Sequence, residues 1–390
     1  MSGIAASTYE PTTPEELQSL VCEAAAAGAN LEVIGGGTKR GVGGAAGAGS
    51  VLSLRRMSKV IDYAPEELIL TAQAGVKLAT LETLVAAQGQ MLGFEPPHLA
   101  KVLAHKGQPT LGGALAANLS GPRRIRAGAA RDHFLGLSAV TGRGEIIKAG
   151  GQVVKNVTGY DLCKLMAGSW GTLAVLTEVT IKVLPASRSD LTLLYFGLDD
   201  RRASEVMTRA LNAPVDISGA AHLPQKTAAR SPLRGEMAVT ALRLEGFAVS
   251  VAARAAFLVS NLKEFGRAEQ LDTVHSRDFW AQLRELEAFQ RDTRPLWRIS
   301  VPPAQGWRVG ETLTGEVIYD WGGGLVWLLS QDDPVEICKA AQALGGYATI
   351  YRGEGGGLDV LSGPLAALTA RVKAAFDPNG VLNRGRIAPA

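Results

Sequence analysis

From residue 31 to 49 the chain reads LEVIGGGTKRGVGGAAGAG, and eight of the fifteen residues from Gly35 onward are glycine. A tract so poor in side chains suits neither a helix interior nor a strand. It is either a linker or a loop whose backbone is itself the contact surface. Strand-like runs flank it, LEVIG before and SVLSL (50–54) after. A linker separates domains, whereas this tract lies between two strands near the start of the chain. Gly41, Gly43 and Ala46 match G-x-G-x-x-A, but that dinucleotide fingerprint opens a helix directly after a strand, and here a strand follows. A P-loop fails because no G-K-[ST] occurs in the tract. A third reading is a nest, in which consecutive backbone N–H groups face an anion.

Two more loops share this character. In TLGGALAANLSGPRRIRAGAARDHF (110–134), Gly112 and Gly113 precede a short helical run. The pattern predicts free N–H groups at a helix N-terminus, able to face a phosphate. Arg123, Arg124 and Arg126 follow as a basic loop, either simply solvated or functional. In GGQVVKNVTGYDLCKLMAGSWGTLAVLTEV (150–179), Lys155, Thr158, Gly159, Tyr160 and Asp161 lead into a short helix, and Gly168, Ser169 and Gly171 stand at the entry to a strand. Three such loops, all at element ends, fit an extended ligand with several phosphate and heterocycle contacts.

The intervening segments alternate between strand and helix patterns. TPEELQSLVCEAAAAG predicts a helix with Thr13 as N-cap, Pro14 at its first position, Glu16 completing a capping box and Gly28 just past its end. KLATLETLVAAQG predicts a second helix, stopped at Gly89. FLGLSAVTGRGEIIKAG predicts a hairpin, and LAVLTEVTIKVLP a long strand. At 390 residues the chain has room for two or three domains. Glycine use changes near 185–190, which places one domain at 1–186 and a second, α+β domain at 187–390. Forty basic against 37 acidic residues, net charge +3, argue against a dedicated nucleic-acid binder. The three cysteines, Cys22, Cys163 and Cys338, form no C-x-x-C pair, so a reducing, cytoplasmic setting is expected. No signal peptide is visible and no run of 18 apolar residues occurs. Contact with the inner face of the cell membrane is expected only through partners.

IGGGTK (34–39), TLGGALAANLSG (110–121), GAARDHFLGLSAVTGRGEIIKAGG (128–151), VKNVTGYDLCKLMAGSWGTLAVLTEVTIKVLP (154–185) and FDPNGVLNRGRI (376–387) resemble the FAD-binding proteins of the vanillyl-alcohol oxidase type. Within them, FEPPH (94–98) and SGPRR (120–124) are similar to the FAD-binding E-subunit family of bacterial glycolate oxidase, or glycolate dehydrogenase. The resemblance implies an α+β architecture: a two-part PCMH-type FAD-binding domain, then an α+β cap domain whose C-terminal tail returns to the first domain. It further implies that Gly35, Gly36, Gly37, Thr38 and Lys39 wrap the FAD pyrophosphate. Thr110, Gly112, Gly113, Asn118 and Gly121 would line the cofactor, with Arg131 and Asp132 in the next loop. Lys155, Gly159, Tyr160, Gly168, Gly171, Thr172 and Val175 would enclose its adenosine and ribityl side. Relatives that bind flavin covalently often use a histidine where this chain has Thr38, so the implied FAD is non-covalent.

The implied activity is oxidation of glycolate, a 2-hydroxy acid, to glyoxylate beside a larger FAD-containing subunit and an iron–sulfur subunit. The five histidines show no H-x-H or H-x-x-x-H pair, so no metal is expected. His98 is the candidate base for the substrate hydroxyl, its other reading being a polar residue that ends a turn. Arg123 and Arg124 would hold a substrate carboxylate, dock a partner subunit or contact a phosphate. Two alternatives stay open: a stand-alone FAD-dependent 2-hydroxy-acid dehydrogenase, and a non-catalytic flavoprotein scaffold. A NAD-dependent Rossmann enzyme would need a strand–glycine–helix unit that the chain lacks.

Overall fold

The computed structural model describes residues 7–43, 49–151, 159–231, 235–354 and 364–387. The first helix, Pro14–Ala26, starts as its sequence predicts: Thr13 Oγ1 accepts the Glu16 N–H at 3.2 Å, and Pro14 is the first helical residue. Its box closes one residue early, because the Glu16 carboxylate accepts the Thr12 N–H at 2.7 Å. The helix ends before Gly28, whose φ of +63° is the left-handed conformation that suits glycine there.

Short strands Thr8–Tyr9, Ser50–Ser53 and Leu31–Ile34 form a parallel sheet in that spatial order. Beside it an antiparallel sheet runs Val60–Ala64, Ile69–Gln73, Ala174–Lys182, Phe134–Thr141, Ile146–Gly150. Its last two strands are the expected hairpin. Leu17, Val21, Leu70, Leu81, Val85, Val140, Val175 and Ile181 join these sheets and the first two helices in one buried core.

After Pro185 the chain builds one eight-stranded antiparallel sheet, from Glu269–Leu271 at one edge to Tyr347–Arg352 at the other. Helices Asp200–Leu211 and Ala248–Asn261 pack on one of its faces. The opposite face carries Trp321, Trp327, Tyr351 and Leu296 and packs on Leu99, Val102, Leu103 and Leu119 of the N-terminal part. The chain's last segment then returns. Leu31 donates its N–H to Val381 O at 2.8 Å, and Asn383 donates to Leu31 O at 3.0 Å. The tail thus extends the edge of the parallel sheet beside Leu31–Ile34. Among the described residues, no helix is long and apolar enough to cross a membrane.

Candidate active site at the junction of sheets and tail

A cleft enclosing about 700 Å³, its mouth included, opens where Leu31–Ile34 runs into the glycine loop. Gly35, Gly36, Gly37, Thr38 and Lys39 line one wall, Thr110, Gly112 and Gly113 a second, and Gly171 and Val175 a third. The N–H groups of Gly36, Gly37, Thr38 and Lys39 bond to no other described residue, which leaves a row of donors facing the cleft. The loop needs glycine for a second reason. A Cβ on Gly36 would sit 1.5 Å from Gln108 O, and one on Gly107 would sit 1.8 Å from Gly36 O. Two backbones cross here in direct contact.

The second wall differs from its sequence reading. The helix is Leu111–Ala116, so both glycines fall inside its first turn, and its early donors are already used. Leu111 N–H bonds to Val76 O at 2.9 Å, Gly112 N–H to Ala74 O at 2.8 Å, and Gly113 N–H to Thr110 Oγ1 at 3.3 Å. The predicted free helix terminus is therefore absent. Gly112 serves packing instead, since a Cβ there would lie 2.6 Å from Ala74 Cβ.

Charge in the cleft comes from Lys39 and Arg386, both buried. Lys39 Nζ donates to Thr38 Oγ1 at 3.2 Å, and the Arg386 guanidinium donates to Lys39 O. Neither forms an ion pair with a described carboxylate, whereas neighbouring Arg40 is paired with Glu32. Arg386 Nε is buried and makes no hydrogen bond among the described residues. Burial, then the Arg386 charge, lowers the Lys39 ammonium to about 8. Burial likewise lowers Arg386. Two buried cations without a counter-anion are costly, and the arrangement is complementary to a polyanion. Arg386 is a residue that the reading of the glycine loops did not single out. Its only signal was the FDPNGVLNRGRI tail, which places it. The Asp377 carboxylate accepts the N–H groups of Val381 and Leu382, each at 2.8 Å. Asn383 Oδ1 accepts the Val33 N–H at 2.8 Å, and its Nδ2 donates to Trp170 O at 2.8 Å.

Other expected contacts lie off the cleft wall. Asn118 and Arg131 bond to each other, side-chain oxygen to backbone N–H at 3.0 Å, and Asp132 accepts the Ala129 N–H at 2.8 Å. Both loops hold themselves together. Gly121 packs on Glu95 and accepts the Trp321 Nε1–H at 3.0 Å. Thr172 bonds to Ser169 O, Gly168 follows the helix Leu162–Met166, and beyond Gly159 the Tyr160 side chain is 93% exposed. Lys155 lies outside the described residues.

Two of the expected residues lie away from this cleft. His98 does not line the cleft: its ring sits 3.3 Å from the Glu82 carboxylate, and its backbone N–H reaches Glu285. Arg123 is engaged by carboxylates of the chain itself. It grips Glu245 through Nε and Nη2 at 3.0 and 2.8 Å, while Arg243 binds Glu95 through both terminal nitrogens at 3.0 Å. This quartet borders a second cavity of about 960 Å³ whose lining charges, Asp190 and Arg277 among them, pair with each other. Burial would raise Glu95 and Glu245, but the two arginines prevail and hold each at about 2. Arg124 turns the other way, its guanidinium carbon 4.4 Å from the Trp321 ring centre.

A family model described as FAD binding domain matches residues 5–150. The chain is 36% identical to glycolate oxidase subunit GlcE of Escherichia coli strain K12, over 91% of this chain and 92% of that protein. It is 36% identical to D-lactate dehydrogenase of Anaerostipes hadrus over 49% of this chain, spanning only 39% of that longer protein. Among solved structures, p-cresol methylhydroxylase with substrate bound superposes with a TM-score of 0.72 at 17% identity. That superposition covers 98% of this chain and 88% of the other. It speaks for the fold alone.

Proposed function

The chain belongs to the glycolate oxidase subunit GlcE family of FAD-binding oxidoreductases, and from that premise we propose that it is the FAD-binding subunit of a complex that oxidises glycolate to glyoxylate. The N–H row of Gly36–Lys39 and the Lys39 and Arg386 cations would hold the FAD pyrophosphate. That uncompensated pair of buried charges is the observation that carries the reading. The residues fit the group: an open donor row, two cations and an apolar wall of Val33, Ala174 and Val175. FAD supplies the two-electron acceptor, and this chain's residues supply its seat. Binding is non-covalent. Thr38 offers a hydroxyl that accepts from Lys39, where covalently flavinylated relatives would carry a histidine. Domains divide at 186/187, so that residues 187–390 form the cap and tail. Electrons pass onward to an iron–sulfur subunit beside a larger FAD subunit. The protein works on the cytoplasmic side, reaching the inner face of the membrane through those partners.

The test is to purify the full chain and record its flavin spectrum, then precipitate it with acid. A yellow protein that releases all its FAD into the supernatant supports the reading; flavin retained in the pellet rejects non-covalent binding. Anaerobic glycolate then separates the roles. Bleaching of the flavin in the isolated chain would favour an autonomous dehydrogenase, and bleaching only after partner subunits are added supports the subunit reading. A flavin that glycolate never reduces, partners present, favours a scaffold. A chain that binds no FAD with or without partners overturns the proposal.

A further inference from the structure

The helix Ala248–Asn261 is apolar on both sides. Its inner residues Val251, Ala255 and Leu258 are buried in the core shared with the strands Ser189–Phe196 and Val239–Gly246. At about 3.6 residues per turn, the opposite face is Val249, Ala253, Ala256, Phe257 and Ser260, with Ser250 and Ala252 at its margins. All seven are exposed, Val249 by 85% and Phe257 by 40%. None carries a charge. Arg254 is the helix's one charged residue, and it turns back to the body of the sheet: its guanidinium donates to Asp216 O and to Glu245 O, each at 2.7 Å. The other helix of this layer, Asp200–Leu211, shows what water ordinarily requires, because its exposed side carries Arg201, Arg202, Glu205 and Arg209. A helix that is apolar all round belongs in an interior, and here one side of it is left open.

The open face is complementary to itself. Its residues are arranged symmetrically about Ala253: Val249 and Phe257 stand one helical turn before and after it, and Ser250 and Ala256 lie just inside them. When two copies of the face are set antiparallel across a two-fold axis at Ala253, Ser250, Ala253 and Ala256 let the helices approach closely. Each Phe257 then covers the other copy's Val249. Because the face is uncharged, the axis brings no like charges together. We propose that the outward face of Ala248–Asn261 is the contact of a homodimer, covered by the same face of a second copy. The inference stands apart from the flavoprotein reading. Area sets its strength. The helix is about 21 Å long, and a face about 10 Å wide offers about 200 Å², roughly a quarter of the ~800 Å² per partner of a standard stable interface. The dimer is therefore weak and forms by mass action at high protein concentration.

Sedimentation velocity of the full chain over about a hundredfold range of concentration tests this. The sedimentation coefficient should rise towards that of a dimer at the top of the range. Ala253→Glu and Ala253→Lys each place like charges on the axis, so either variant alone should stay monomeric throughout. Mixed in equal amounts the two should pair again, because glutamate then faces lysine. Phe257→Ala should weaken the parental dimer by about tenfold or more, since each dimer loses two aromatic contacts. All three substitutions put good helix formers at exposed positions. Melting temperature at the lowest concentration and FAD content should therefore stay at the parental values. A parent that is monomeric at every concentration overturns the proposal. Self-association that Ala253→Glu leaves unchanged overturns it too, as do glutamate and lysine variants that fail to pair when mixed. A monomeric parent that captures partner subunits, and loses them in Ala253→Glu, would assign the face to a different chain and overturn self-pairing.

Discussion

Lys39 shows how, on the proposed reading, one side chain would trade stability for binding. Its ammonium is buried against Thr38 and Arg386 with no described carboxylate to neutralise it, which brings it down from 10.5 to about 8. A lowered lysine costs the folded state its full penalty below pH 8, and the penalty is relieved as pH rises from 8 towards 10.5. The cost is on the order of 3 kcal/mol at most. Lys39→Met is therefore expected to raise the urea midpoint of the flavin-free protein at pH 7, with the gain shrinking by pH 9.5. The same substitution should weaken FAD binding, read by equilibrium dialysis. A variant that is both less stable and a weaker binder would show that the Lys39 ammonium stabilises the flavin-free fold. Arg386→Gln is expected to lower FAD affinity about tenfold or more, with an FAD affinity less sensitive to salt than the parent's.

At the scale of elements, the glycine loop and the tail are docked parts, and their contacts reach beyond the cofactor. The Gly36–Gln108 crossing leaves no room for a methyl group. Gly36→Ala should thus lower the melting temperature of the flavin-free protein as well as its cofactor content, whereas a purely phosphate-facing glycine would affect only the latter. Asp377 holds the tail's turn by accepting two backbone N–H groups and the Lys373 ammonium. Asp377→Ala is expected to cost about 2–4 kcal/mol, from two orphaned donors and a lost charged partner. It should also release FAD by withdrawing Arg386. Limited proteolysis reads the effect directly, with cleavage after Arg384 or Arg386 appearing in the variant first. The first helix and the 134–150 hairpin were legible because their caps and turns act between residues three or four apart. Gly112 was misread for the opposite reason: its N–H partner, Ala74 O, arrives from the turn after a distant strand.

For the molecule as a whole, the junction between the N-terminal part and the eight-stranded sheet rests on the quartet of Glu95, Arg123, Arg243 and Glu245. Removing one member strands a buried charge, so Arg243→Gln is expected to destabilise by about 3–5 kcal/mol in urea unfolding. The carboxylates also set an acid limit. Both are depressed from 4.5 to about 2, so their contribution is fully present above pH 4.5 and is lost as pH falls from there towards 2. Stability measured between pH 5 and 3 should fall steeply in the parent and less steeply in Arg243→Gln. Equal slopes would show that the quartet does not couple to folding.

Much of the glycine-lined cleft could be read in the chain itself. A backbone cradle needs glycine whatever surrounds it, so Gly35–Lys39 announces itself by composition, as do the caps and turns that shape local elements. Charge partnerships are different, because they depend on what folding brings together. Arg386 meets Lys39 across 347 positions, and Arg243 meets Glu95 across 148. Arg123 and Arg124 are adjacent and chemically identical, yet one is consumed by a buried quartet and the other is left over Trp321. Only the tertiary structure decided which of them is free, since an arginine's availability is set by the carboxylates within a few ångströms and not by its neighbours in sequence.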